Sequence, residues 1–203
     1  MQPGRFAEFL AKELKPWIIL SDQQIGELYA HYQLLERWNK RINLTSVEPG
    51  IATVIRHYCE SLFFGVHLPN EATSVADIGT GAGFPGIPLA ILQPRRKITL
   101  VESNQRKAVF LREATRHLPN IAVKAVRAEN LTDKFDWAVT RAVNPGKMLD
   151  LIPRLAPRIG LLLGEDDFSA LRGVHHIAWS EPVRLPWGDR RICVFGAFLP
   201  TPE

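Results

Sequence analysis

Val75-Ala76-Asp77-Ile78-Gly79-Thr80-Gly81-Ala82-Gly83-Phe84-Pro85-Gly86 decides the fold: a short apolar run enters a glycine-rich turn that opens a helix. Glycines at alternate positions accept backbone angles closed to other residues and let the main chain touch a ligand. A helix starting directly after the turn offers free N–H groups to an anionic group. Downstream, short apolar runs alternate with helical segments, the pattern of βαβ units in a parallel sheet. The reading predicts strands at 74–78, 98–102, 121–126, 135–140 and 159–163. Helices are predicted between them at 86–92, 105–117, 145–152 and 166–172. The end departs from this pattern: 175–180 and 191–199, joined by the turn-rich Leu185-Pro186-Trp187-Gly188-Asp189, predict an antiparallel hairpin at the sheet edge.

Before the turn the chain reads as helices. Phe6, Phe9, Leu10 and Leu14 recur at helical spacing over 5–14. Ser21 with Gln24 gives a capping-box signal, followed by a buried stripe of Ile25, Leu28, Tyr29, Tyr32 and Leu35. A third helix starting near Pro49 buries Ile51, Val54, Ile55, Tyr58, Cys59, Leu62 and Phe63, and leaves Thr53, Arg56, His57 and Glu60 on a polar face. The expected fold is therefore a Rossmann-like α/β sheet, mostly parallel with a C-terminal antiparallel hairpin. An N-terminal helical cap would occupy 1–70 and a ligand-binding domain 71–203.

Charge separates two ligands such a turn could hold. Asp77 stands two residues before the first glycine, where an acid suits an ammonium and repels a pyrophosphate. Glu102 closes the second predicted strand, where an acid accepts hydrogen bonds from both hydroxyls of a ribose. Ala128-Glu129, at the end of the third strand, is placed to meet an adenine. Together these favour S-adenosylmethionine, cationic at both its ammonium and its sulfonium. The rival is a nicotinamide dinucleotide, because Gly81 to Gly86 also matches G-x-G-x-x-G, a weak signal alone. An oxidoreductase would need a substrate half with a catalytic base, for which little chain remains after the fourth strand.

The 203 residues, 46% apolar and 23% charged, are those of a folded globular chain. No stretch reaches the roughly 18 apolar residues of a membrane span, and Met1 to Arg5 lead into an amphipathic segment, so a cytoplasmic, metal-free monomer is expected. Two separated cysteines, Cys59 and Cys193, suit buried thiols. The formal charge is +4; residues 1–70 balance, whereas nine Lys or Arg face only Glu102 and Glu113 between Arg95 and Arg127. Such a field suits a polyanion, although a solvated helix face gives the same pattern.

Trp38-Asn39-Lys40, Asn43-Leu44-Thr45-Ser46, Arg56-His57, Glu60-Ser61, Asp77 to Pro88, Arg106-Lys107, Phe110-Leu111-Arg112, Ala128-Glu129 and Thr140-Arg141-Ala142 together resemble the bacterial ribosomal RNA small subunit methyltransferase G family, also called glucose-inhibited division protein B. The resemblance implies a class I methyltransferase that makes 7-methylguanosine near the decoding region of 16S ribosomal RNA, on naked RNA or the small subunit. It maps donor contacts to Gly79, Phe84, Ala128, Glu129 and Arg141, beside Asp77, Gly81, Gly83 and Glu102 from the motif. Phe84 stands where the family usually has leucine and Glu102 where aspartate is common. Leu163 replaces a lysine, a loss for which Arg190-Arg191 is the candidate compensation in RNA binding, with Arg106, Lys107 and Arg112 on the basic helix.

Methyl transfer to a ring nitrogen with an in-plane lone pair needs no general base, and fourth-strand Thr140-Arg141-Ala142-Val143 lacks the Asn/Asp-Pro-Pro-aromatic signature of exocyclic-amine enzymes. Arg141 is the expected catalytic residue, a structural ion pair being the alternative. His57 is expected to pair with Ser61 and bridge the helices to the sheet. A small-molecule methyltransferase and a non-enzymatic RNA-binding protein remain open.

Overall fold

The strand that leads into the glycine turn is the centre of the sheet. In the computed structural model, which describes residues 1–45, 50–141, 145–174, 176–187 and 190–200, eight strands form one sheet, seven of them in the order β3-β2-β1-β4-β5-β8-β6 and β7 beside β8 off this path. These are β1 Ser74–Ile78, β2 Lys97–Val101, β3 Ile121–Lys124, β4 Trp137–Arg141, β5 Arg158–Gly164, β6 Ile177–Trp179, β7 Val183–Arg184 and β8 Arg191–Phe198. β1 to β5 run parallel. The chain order reverses between β1 and β4, which opens a crevice at their carboxyl ends, where ligands of open α/β sheets bind.

The predicted terminal hairpin forms, with a different seat. β8 inserts between β5 and β6, antiparallel to both, so β6 is the edge and β8 is interior. An interior position suits a strand whose middle, Ile192 to Phe195, is buried on both faces. The short β7 also pairs with β8. Predicted positions Ser46, Pro49, Ala142, Val143, His175, Gly188 and Asp189 lie outside the described residues.

Strand alternation splits the interior into two apolar layers. On one face Val75, Leu100, Val139, Leu162 and Phe195 join Phe6, Leu10, Leu28, Tyr32, Tyr58 and Phe64, so the N-terminal helices and the sheet share one core. On the other, Ala76, Ile78, Ala138, Ile159, Leu161 and Val194 pack with Met148, Ile152 and Phe168. Leu163, where a lysine was expected from the family, is buried in this second layer.

Helix Pro3–Leu14 buries Phe6, Leu10 and Leu14, and helix Asp22–Asn39 starts at the predicted capping box. Gln24 of that box also donates to the carbonyls of Ile91 and Leu92, tying the helix to Gly86–Leu92. Trp187, in the link to β8, donates to Glu13 and packs edge-on against Trp17, which fastens the C-terminal strands to the first helix. No described helix is long and apolar enough to cross a membrane.

Residues 51–67 form a helix that changes pitch, with a π-helical segment Val54–Cys59 between Ile51–Thr53 and Glu60–His67. A π turn takes in one extra residue and rotates the next stretch of helix by about 100°. That rotation carries Glu60, 1% exposed, into the core; the predicted faces are also corrected ahead of it, where Ile51 is 38% exposed and Thr53 1% exposed.

Three glycines of the turn have positive φ: Gly79 at 69°, Gly81 at 60° and Gly83 at 91°. A Cβ on Gly83 would meet Ile87 Cδ1 at 2.3 Å, whereas one on Gly81 would find nothing nearer than the Gly79 carbonyl oxygen at 3.9 Å. Gly83→Ala should thus cost about 2–4 kcal/mol through overpacking added to strain. Gly81→Ala should cost only the strain, about 1–2 kcal/mol. Urea denaturation of both variants checks this, and equal losses would contradict it.

Candidate functional site

Asp77 sits on the β1 face that looks toward the N-terminal helices, and it is fully buried. Its Oδ2 accepts from the Thr80 hydroxyl at 2.6 Å and from the Gly86 N–H at 2.8 Å, closing the turn between strand and helix. Gly86 must lack a side chain for this, since a Cβ would lie 2.7 Å from that oxygen and 2.3 Å from Leu100 Cδ2. Oδ1 is buried with no partner. Burial raises the carboxyl to about 7, against the pull of the Thr80 and Gly86 hydrogen bonds.

Glu102 comes directly after β2 and is 8% exposed. It bridges the neighbouring strand ends: Oε2 accepts from the Gly81 N–H at 3.0 Å and Oε1 from the Asn104 N–H at 2.8 Å. Each oxygen keeps a lone pair for a further donor. The uncrowded Gly81, the orphan Oδ1 of Asp77 and the spare acceptors of Glu102 fit a ligand with one cationic end and hydroxyl groups. They do not fit a diphosphate.

The other expected donor contacts divide. Ala128 and Glu129 lie in the single turn Ala128–Asn130, which starts four residues beyond the end of β3, with Glu129 exposed. Phe84 is 6% exposed and its ring lies in the aromatic core, against His31 at 5.2 Å, Tyr58 at 5.1 Å and stacked on His57 at 4.7 Å. Its contribution to a ligand would thus come from the backbone.

Arg141 ends β4 in a buried polar cluster. Its Nη2 pairs with Glu60 Oε2 at 3.2 Å and its Nη1 donates to His57 Nδ1 at 3.0 Å. An arginine only donates, so His57 carries its proton on Nε2, which lies 2.8 Å from the Thr45 hydroxyl. Burial, followed by the Arg141 charge, lowers His57 to about 3, so the ring is neutral. The bridge from helix to sheet thus runs through Arg141 and Thr45 rather than Ser61, whose hydroxyl is buried without a partner. Burial lowers Arg141 to about 10, opposed by Glu60, and it stays cationic at neutral pH.

Arg191 also corrects an expectation. Instead of facing RNA, its Nε pairs with the same Glu60 oxygen at 3.1 Å, and its side chain is 13% exposed. The register sets this: Arg191 lies opposite Gly164 at the end of β5, beside the cluster. Arg190 is exposed but engaged by Glu165 at 3.4 Å and Asp166 at 2.7 Å. Arg106 and Arg112 are exposed and Lys107 half-buried on helix Gln105–Thr115, whose N-terminus Asn104 caps.

Two residues outside the expected set matter here. Glu60 joins two arginines, and its signal was a lone acid inside Tyr58-Cys59-Glu60-Ser61-Leu62-Phe63-Phe64. His31 is 2% exposed. Its Nε2 lies 3.1 Å from the Ala82 carbonyl, inside the glycine turn, and its Nδ1 2.9 Å from the Tyr58 hydroxyl. Burial lowers it to about 4. It falls three residues after Leu28 and four before Leu35, so the helical period marked it as buried.

The family model described as rRNA small subunit methyltransferase G matches residues 24–175, a span that holds both carboxylates, the glycine turn and Arg141. Ribosomal RNA small subunit methyltransferase G of Dictyoglomus thermophilum is 37% identical over 156 residues, covering 72% of this chain and 65% of that protein. The protein of the same name from Dichelobacter nodosus is 45% identical over 128 residues, covering 61% and 60%. The matches thus span less than two thirds of the length of these curated relatives. Among solved structures, a SAM-dependent O-methyltransferase from Thermotoga maritima has a TM-score of 0.58 at 16% identity, over 84% of this chain and 72% of that one. Magnesium protoporphyrin IX methyltransferase from Synechocystis, with bound SAM, gives 0.57 at 18%, over 89% and 98%. At such identities these likenesses show the class I methyltransferase fold.

Removing one partner of a buried ion pair leaves the other charge uncompensated. Glu60→Ala, which strands two arginines that are 7% and 13% exposed, should destabilise the protein by about 3–5 kcal/mol, while Glu165→Ala, whose partners Arg184 and Arg190 are 79% and 65% exposed, should cost about 1 kcal/mol or less. Chemical denaturation of the two variants tests this; similar losses would show that the Glu60 cluster does not hold the fold.

Proposed function

This chain belongs to the rRNA small subunit methyltransferase G family, and on that premise we propose that it methylates ring nitrogen seven of a guanine in the decoding region of bacterial 16S ribosomal RNA, using S-adenosylmethionine. One observation carries the donor assignment: two acids, Asp77 and Glu102, meet at a glycine turn where even a Cβ on Gly81 would have its nearest neighbour at 3.9 Å. When bound, S-adenosylmethionine would supply an electrophilic methyl on a positive sulfur: the in-plane lone pair of the guanine nitrogen would bond to that methyl as the carbon–sulfur bond breaks and S-adenosylhomocysteine leaves, with no proton lost from the nitrogen. The protein therefore needs to align and dehydrate the partners, contributions that intramolecular models put at about 7–11 kcal/mol.

In this reading Glu102 takes the ribose hydroxyls through the acceptor capacity left by Gly81 and Asn104. Asp77 Oδ1 takes the ammonium, directly or through one water. The backbone of Gly79, Gly81 and Phe84 lines the approach, and Ala128 and Glu129 meet the adenine. Arg141 forms the floor at the end of β4. Glu60 and His57 each hold one of its N–H groups, and another takes the guanine carbonyl oxygen. A single contact there leaves the reacting nitrogen open, which a bidentate grip would cover. Residues 1–70 serve as the cap, and Arg106, Lys107 and Arg112 contact phosphate.

The direct test supplies labelled donor and unmodified 16S RNA or small subunits, followed by nuclease digestion. Label in 7-methylguanosine is the expected result, and label in another nucleoside or none would refute the assignment. Arg141→Ala should slow single-turnover methylation at least about 100-fold if the residue acts at the reacting base; an unchanged rate would remove it from the site.

The raised carboxyl of Asp77 gives a pH signature. Below about pH 7 Asp77 is protonated in the free protein, and a cationic group beside it requires the ionised form. S-adenosylhomocysteine should therefore bind about tenfold more weakly at pH 6 than at pH 8, measured by isothermal titration. Asp77→Asn should abolish the difference; a flat profile in the parent protein would contradict the ammonium contact.

A further inference from the structure

The Trp38-Asn39-Lys40 motif has no task in the donor site. Charges over 1–70 cancel in sum, but on helix Asp22–Asn39 they segregate: Asp22, Glu27 and Glu36 come first, and Arg37, Lys40 and Arg41 gather at its end. These three cations are exposed, and none is held in an ion pair among the described residues. With Leu34, Trp38 and Glu113 they line a groove of about 360 Å³ between this helix and Gln105–Thr115.

The groove is built rather than incidental. The Trp38 indole N–H donates to Glu113 at 3.1 Å, and the ring meets Phe110 edge-on at 5.8 Å, which fixes the aromatic wall. The one acid of the groove is thereby engaged, against three unpaired cations. Asn39 bends the chain at its far side: its Oδ1 accepts from the Leu44 and Thr45 N–H groups, and its amide donates to the Thr45 carbonyl. Thr45 in turn contacts His57, so the groove is joined to the Arg141 cluster.

Its other wall leads to the donor site. Gln105–Thr115 starts just after Glu102, and its Glu113 lies about 12 Å along the helix from Gln105. Exposed Arg106 and Arg112 occur on the same helix, and exposed Arg116 follows its last residue. We propose that this groove is a second RNA-binding surface, in which Arg37, Lys40 and Arg41 hold the phosphodiester backbone of a single-stranded segment flanking the target guanine. The inference rests on the RNA-methylating function above and adds to it the path of the strand.

Flexible, unpaired Lys and Arg with a half-exposed tryptophan suit a phosphate backbone, whose binding releases counterions and so weakens with salt. Filter binding of an unmodified 16S RNA transcript between 50 and 200 mM KCl tests it on the parent protein and on an R37A/K40A/R41A variant. Loss of three contacts should lower the slope of log affinity against log salt by about 2. The parent should thus lose about 20-fold more affinity over this range than the variant. Conservative R37K/R41K should keep the parent slope, and titration with S-adenosylhomocysteine should be unchanged in both, which controls for folding.

Equal slopes and affinities in parent and triple variant would overturn the groove while leaving the methyltransferase assignment intact. A variant that binds naked RNA normally but fails on assembled subunits would also overturn it, since the partner would then be a ribosomal protein. Failure of the parent protein to bind RNA at all would instead bring down the function on which the inference rests.

Discussion

The fold of the site depends on one carboxylate. Asp77 Oδ2 holds the Thr80 hydroxyl and the first N–H of helix Gly86–Leu92, so strand, turn and helix are fixed at a single atom. The contact requires Gly86 to have no Cβ; Gly83 in the same turn has no room for one against Ile87. Burying a carboxyl with only one of its oxygens satisfied is costly, as its pKa of about 7 records. The same cost is what the ammonium of the proposed donor would relieve, so the residue that shapes the turn is also the one proposed to select its ligand.

Around this centre the N-terminal helices grip the turn. His31 reaches the Ala82 carbonyl and Tyr58 braces His31, while Phe84 is held among the rings of His31, His57 and Tyr58. The π-helical segment matters because it turns Glu60 inward to meet Arg141 and Arg191. Two cations on one buried carboxylate, with a neutral histidine alongside, tie the ends of β4 and β8 to the helix. A ribose or a base bound at the crevice would thus contact residues already positioned by packing.

Much of this was legible in the sequence because it is local. The bounds of β1 and of helix Gly86–Leu92, the Ser21 capping box and the parallel order of the first strands come from period and turn chemistry. The failures come from long-range contacts or local irregularity. Constant helical pitch placed Glu60 on a polar face, and the π turn rotated it into the core. Arg191 reads as a surface cation until the register of β8 against β5 sets it beside Glu60. Composition hid the cluster at Arg37, Lys40 and Arg41, because charges summed over a segment cancel whichever end of a helix they occupy. The acidic pair at the glycine turn was readable as residue types, but the orientation of Asp77 toward Gly86 was not.

A crystal structure of the protein with S-adenosylhomocysteine tests the central claim most directly. The account predicts the ribose hydroxyls on Glu102, the ammonium on the Oδ1 side of Asp77, directly or through one water, and the ligand chain passing over Gly81. A ligand bound elsewhere, or one in the crevice with its ammonium and ribose turned away from these two carboxylates, would contradict it.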